Sequence, residues 1–291
     1  MLFASFERKI IIMVLFLLLV ALSLALSGLT YYFAGWSSDL WTLFIPLPLT
    51  VLYWFALFAF FLVYCWFVSL FVDLKKPVKE PKAGGYFVIK NVIWIVLLFA
   101  NVKVEIVGAE KIPAKTRYLF VSNHLSNFDH LCYFAHRKER VISLGKKEIE
   151  SFFVAGKWMH KAGFVAIDRN DPVQGLRCIL QCVDYIKKDE ASIALAPEGT
   201  RSRDGLLREF HAGSFKIALK SRCPLVVARI HNSENIRGNA PWKRTVVRID
   251  ILDVLYPKDY QDLTSDALAN KVHAFIETSL NAEPETLLEK K

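Results

Sequence analysis

From Ile10 to Leu74 the chain carries no Lys or Arg, and Asp39 and Asp73 are the only charges there. No ordinary amphipathic surface can be drawn on such a stretch. Ile10 to Leu29 is an apolar run of about 20 residues, which as a helix rising about 1.5 Å per residue matches a hydrocarbon core of roughly 30 Å. A second run, Leu49 to Val72, is equally long and rich in Phe, Trp and Tyr, with Pro46 and Pro48 at its entry where proline is tolerated. The pattern predicts a transmembrane helical hairpin over residues 1–74, with spans at about 10–29 and 49–72. A cleaved signal sequence is the bland alternative for the first run. Its apolar stretch is far longer than the usual ~7–15 residues, and a second run follows at once.

Residues 75–85, Lys-Lys-Pro-Val-Lys-Glu-Pro-Lys-Ala-Gly-Gly, read as a basic linker opening a second domain over 86–291. Tyr86 to Ala100 is apolar but short and is interrupted by Lys90. It reads as an interfacial or core-docking helix, with a third span as the alternative. Beyond it, short strand-like runs at 102–107, 118–122, 141–144, 164–167, 192–196, 225–230 and 245–252 alternate with helical patterns at 129–136, 172–188, 211–221 and 265–280. Asp171-Pro172 has the form of an N-cap with proline at the first helical position. The alternation predicts an α/β domain.

Charge adds orientation and partners. Arg8 and Lys9 precede the first span, Lys75, Lys76, Lys79 and Lys82 follow the second, and the loop 30–41 has no basic residue, so both ends and the second domain are expected on the cytoplasmic side. Residues 1–74 carry net −1 against +9 for the whole chain, which leaves +10 on the remainder. A basic domain tethered to a bilayer fits anionic membrane lipids and phosphorylated substrates; no nucleic-acid motif points elsewhere. The five cysteines show no paired C-x2-C pattern and are expected as free thiols. Cys178 and Cys182, four apart on a helical pattern, are expected as buried apolar residues, and no metal is assigned.

Two segments can carry chemistry. In Ser122-Asn123-His124-Leu125-Ser126-Asn127-Phe128-Asp129 a strand end turns into a helix, where α/β sheets place their sites. A carboxylate five residues after a histidine across this turn can hold the ring in one tautomer and leave the other nitrogen as a general base. No G-x-S-x-G elbow or activated cysteine supplies a nucleophile. A base suffices if the group to be transferred arrives already activated, as in a thioester, and a spacing of this kind standing alone is more readily a helix cap. The second segment, Ala196-Pro197-Glu198-Gly199-Thr200-Arg201-Ser202, also follows an apolar strand. It offers a close backbone approach at Gly199, hydroxyl donors and the planar Arg201 fork for an anion. Lys146 and Arg169, each at the end of a strand pattern, can reach an anion as well.

Taken in order, Asn123 to Asp129, Gly163 to Arg169 and Glu198 to Ser202 resemble the blocks of the lysophosphatidate (1-acyl-sn-glycerol-3-phosphate) acyltransferase family. The likeness continues into Phe210-His211-Ala212-Gly213 and Cys223 to Val227 and covers roughly residues 100–255. The resemblance implies a mixed sheet flanked by helices, with a cleft over the strand ends and an apolar tunnel for the acyl chain. It implies His124 as base, Asp129 as its orienting partner, and Arg169, Glu198, Gly199, Thr200, Arg201 and Lys146 around a phosphorylated acceptor. It also implies acyl-coenzyme A or acyl-carrier protein as donor and no cofactor. Many relatives have Lys where this chain has His211, which leaves glycerol 3-phosphate or another lysophospholipid as alternative acceptors. A non-catalytic lipid-binding protein of the same fold is the reading from another class.

Overall fold

The computed structural model describes residues 14–36, 40–74, 76–78, 80–151, 153–168, 170–202, 204 and 206–282. The first two helices, α1 (Val14–Phe33) and α2 (Pro46–Leu70), are long and apolar enough to cross a membrane. Residues 10–13 of the first expected span lie outside the described residues, and the helix continues four residues past Leu29 to Phe33. In α2, Pro46 stands in the first turn, where its missing N–H leaves no helical bond unmade. Side chains such as Leu18, Phe55 and Phe60 are exposed all round the pair. Apolar surface of that extent is stable only against lipid or a partner. Between the helices the Ser27 hydroxyl donates to the Pro46 carbonyl at 2.7 Å, and Thr30 Oγ1 lies 2.7 Å from the Tyr53 hydroxyl, polar contacts that gain value where water is excluded.

Helix α3 (Ala83–Phe99) begins inside the stretch read as linker. Gly85, Ile89, Ile93 and Leu97 form one buried stripe at helical spacing, and Lys90, the charge that interrupts the run, donates to the Arg137 carbonyl. The helix therefore docks on the domain. A Cβ at Gly85 would lie 3.2 Å from the Lys161 backbone, so glycine permits this approach.

The remaining order is β1 (Val102–Val107), β2 (Leu119–Ser122), α4 (Asp129–His136), β3 (Val141–Lys146), α5 (Phe153–Lys161), β4 (Val165–Ile167), α6 (Pro172–Lys187), β5 (Ser192–Leu195), α7 (Lys216–Ser221), β6 (Leu225–His231), β7 (Thr245–Leu255) and α8 (Ser265–Ala282). The strands form one seven-stranded sheet in the order β1-β7-β6-β2-β5-β3-β4. Every pairing is parallel except β6 with β7, so the sheet is mixed. Alternation along the strands divides the core: Leu119 and Val121 pack with α6, α7 and α8 on one face, and Tyr118 and Phe120 with α3, α4 and α5 on the other. Cys178 and Cys182 are buried within the first of these cores.

Helix α5 has no counterpart among the sequence-based expectations. Its nine residues mix Gly156, Lys157 and His160 with the apolar positions, too short a pattern to stand out. Tertiary contact completes it: Trp158 Nε1 donates to the Cys65 carbonyl of α2 at 2.9 Å, and His160 Nε2 lies 3.0 Å from the Lys76 carbonyl. The expected helix from His211 divides into a 3₁₀ turn, Ala212–Phe215, followed by α7.

Candidate active site

Strands β2, β5, β3, β4 and β6 are mutually parallel, so their C-terminal ends share one edge of the sheet. His124 follows β2, Glu198 to Ser202 follow β5, Lys146 ends β3, and Ser233 follows β6. Adjacent strand ends thus bring together segments more than a hundred residues apart. Arg169, expected after β4, lies outside the described residues.

At the end of β2 the buried Asn123 side chain bridges to β6, donating to the Ile230 carbonyl at 3.0 Å and accepting the Ile230 N–H at 2.7 Å. This fixes the point at which the chain leaves the sheet. The next residue, His124, places Nδ1 2.8 Å from Asp129 Oδ2, and that same oxygen accepts the N–H groups of Leu125 and Ser126 at 2.8 and 2.9 Å. Asp129 Oδ1 accepts from the hydroxyls of Ser126, at 3.4 Å, and Ser233. Asp129 is wholly buried and stands in the first turn of α4, so the helix axis fixes the carboxylate and the carboxylate fixes the ring. A carboxylate that accepts this many donors accepts a hydrogen bond from Nδ1–H as well, which leaves His124 Nε2 with its lone pair free. The His124 side chain is about one-fifth exposed (22%), enough to meet a reactant.

Glu198 clamps His124 from the neighbouring strand. Its Oε1 accepts the His124 N–H at 2.8 Å, its Oε2 accepts the Arg208 N–H at 3.1 Å, and Ser202 N–H donates to the His124 carbonyl at 2.8 Å. Glu198 is buried, and desolvation raises its pKa against the opposing pull of those two amides. Both its oxygens are occupied by backbone, so it braces the loop. Gly199 has φ +71°, a left-handed conformation that lets the chain turn directly after the clamp. Thr200 and Arg201 are exposed on the outer side of this turn. Lys146 is half-exposed and lies 3.6 Å from Glu148. His211 is exposed, and its backbone N–H donates to the Pro197 carbonyl at 2.9 Å, closing the return of the loop.

Two further side chains lie beside the pair: Ser233, which sequence reasoning did not single out, and His130, which is packed as a histidine outside the candidate site is expected to be. Ser233 bonds Asp129 across 104 residues; the signal that could have found it is its position just past a strand end, as with His124 and Glu198. His130 lies behind His124, its ring parallel at 6.2 Å, with Nδ1 3.0 Å from Ser143 Oγ. The residue is half-buried with Nε2 sealed from solvent, and burial pushes its pKa down to about 4, helped by the neighbouring His124.

The mixed α/β sheet thus carries a histidine held by a buried carboxylate at its strand ends, and among the described residues no serine or cysteine side chain hydrogen-bonds the His124 ring. The acyltransferase family model matches residues 103–231, the span that contains both members of the pair. A 1-acyl-sn-glycerol-3-phosphate acyltransferase of Limnanthes douglasii is 29% identical over 227 residues, which cover 75% of this chain and 77% of the relative. A chloroplastic one of Brassica napus is 35% identical over 175 residues, covering 58% of this chain and half of the relative. The crystal structure of the 1-acyl-sn-glycerophosphate acyltransferase PlsC from Thermotoga maritima shares the fold, with a TM-score of 0.54 at 20% identity over 78% of this chain and 90% of that one. The chain therefore carries an acyltransferase domain and is similar to 1-acyl-sn-glycerol-3-phosphate acyltransferases over three quarters of its length.

Proposed function

We propose that the protein esterifies the free hydroxyl of lysophosphatidate with a fatty acyl group from a thioester donor, acyl-coenzyme A or acyl-carrier protein, giving phosphatidate. The observation that carries the mechanism is the 2.8 Å contact between His124 Nδ1 and buried Asp129. His124 Nε2 takes the proton of the acceptor hydroxyl as it attacks the thioester carbonyl. The tetrahedral intermediate then expels the thiolate, which takes up the proton held on His124. The thioester is already activated, so neither a protein nucleophile nor a resident cofactor is required, and general-base assistance of this kind contributes roughly 10²–10⁴-fold.

Thr200, Arg201, Lys146 and Arg169 are the proposed donors to the acceptor's phosphate, with Glu198 and Gly199 shaping the loop that presents them. The hairpin α1–α2 is proposed to span the bilayer, with both termini and the catalytic domain on the cytoplasmic side. Integral attachment keeps the site beside substrates whose extraction into water costs about 0.8 kcal/mol per CH₂.

Purified protein supplied with each donor and a panel of lysophosphatidate, glycerol 3-phosphate, other lysophospholipids and water tests the reading by mass analysis of the products. Phosphatidate as the main product, lost in His124→Ala, is the expected result. Unchanged acyl transfer by His124→Ala would overturn the mechanism, and release of the protein from membranes by carbonate would overturn the hairpin.

A further inference from the structure

Beside the strand-end edge that holds His124, the chain presents a second lipid-compatible surface. Strand β7 is antiparallel to β6, so Thr245, where β7 begins, lies at the edge where β6 and β2 end. Thr245 pairs with Val102 of β1, which places the C-terminal end of α3 at the same edge. There Leu98 and Phe99 are exposed, and beside them Arg244 Nε lies 3.5 Å from Asn101 Oδ1 while Thr245 N–H donates to the Asn101 carbonyl at 3.0 Å. The loop that closes this corner carries Trp242 at 91% exposure, the most solvent-facing large apolar side chain on the described surface.

Charge selects the partner. Arg237, Lys243 and Arg244 are exposed around Trp242, and no acidic residue occurs between Glu234 and Asp250. An aromatic ring with an N–H at its rim, flanked by cations and set at the same edge as exposed Leu98 and Phe99, has the chemistry of a bilayer interface. The hairpin lies on the matching side. Helix α2 passes Trp158 at Cys65, and the chain reaches His160 with Lys76, so it advances toward the edge where the strands start. The earlier part of α2, with α1, therefore extends toward the His124 edge.

We propose that Trp242, Leu98 and Phe99 insert at the headgroup level, with Arg237, Lys243 and Arg244 on anionic phospholipid phosphates. This second contact fixes the tilt of the domain and turns the edge that holds His124 onto the membrane. It rests on the reading of α1–α2 as membrane-embedded, and it adds to it the surface that orients the site.

The five native cysteines are all buried, so a Trp242→Cys variant can be labelled selectively with an environment-sensitive fluorophore. The full chain is reconstituted into vesicles of phosphatidylcholine alone or with phosphatidylglycerol. Blue-shifted emission, quenched by lipids spin-labelled near the headgroup, strengthened by phosphatidylglycerol and reversed in Arg237→Glu/Lys243→Glu/Arg244→Glu, is the expected result. Water-like emission in protein that still floats with the vesicles overturns the proposal while leaving the hairpin intact. Protein that does not float overturns the hairpin instead. Hydrogen exchange of residues 239–244 in the unlabelled chain gives an independent reading: protection equal in the two lipid compositions also overturns it.

Discussion

Asp129→Asn isolates the charge of the pair from its geometry. With the asparagine carbonyl oxygen in the place of Oδ2, it still accepts from His124 Nδ1 and from the Leu125 and Ser126 amides. The new NH₂ then faces the hydroxyls of Ser126 and Ser233, which can accept as well as donate. Every hydrogen bond survives, the tautomer of His124 is kept, and the fold should lose no more than about 1 kcal/mol. What disappears is the attraction between a carboxylate and the imidazolium that the proposed mechanism forms when His124 takes the acceptor proton. At a charge separation near 4 Å and an effective dielectric of about 20, that attraction is on the order of 4 kcal/mol, or roughly 10³-fold in rate. The assay is kcat on purified protein in detergent with saturating donor and acceptor, beside a thermal melt. A fall of about 10²–10³-fold with an unchanged melt is expected, and His124→Ala/Asp129→Asn should be no slower than His124→Ala, because the two act as a unit. A kcat within threefold of the parent, with the melt unchanged, would refute the electrostatic role.

Ser233→Ala removes one hydroxyl from buried Asp129 and should cost about 1–3 kcal/mol of stability while lowering kcat more than it changes KM; equal melting and turnover would remove Ser233 from the positioning network. Gly163→Ala would set a Cβ 2.8 Å from Pro81 Cβ and Cγ at φ +95°, so strain and overpacking together should destabilise by roughly 2–4 kcal/mol, read as a lowered melting midpoint. His130 has a pKa of about 4 in the fold against 6.5 when unfolded, so the unfolded chain binds more protons between those values and stability falls as pH drops from 6.5 toward 4. The loss totals about 3 kcal/mol at full effect, and melts across that window should flatten in His130→Gln.

The pattern of apolar positions was sufficient to locate all seven strands to within a few residues, because central strands such as β2 and β5 are buried on both faces and apolar throughout, while β1 and β7 alternate apolar positions with more exposed, partly charged ones. The N-cap at Asp171 was equally local: its side chain accepts the N–H groups of Val173 and Gln174 as the dipeptide Asp-Pro implied. The stretch 10–74, free of Lys and Arg, marked the two long helices on composition alone, and the spacing of His124 and Asp129 admitted their contact without distinguishing it from a helix cap.

What the sequence could not carry depends on strand order. The sheet runs β1-β7-β6-β2-β5-β3-β4, and only that order puts Glu198 beneath the His124 amide and Ser233 against Asp129. Glu198 and Ser233 look like loop residues in one dimension, and their roles as brace and second partner exist only across the sheet. Helix α5 was hidden for the same reason: its apolar positions are too few to declare a helix, and burial of Trp158 against α2 supplies the stabilisation that local pattern lacks. Local spacing thus made the histidine–carboxylate pair available, while the parallel pairing of distant strands decided what holds it and what surrounds it.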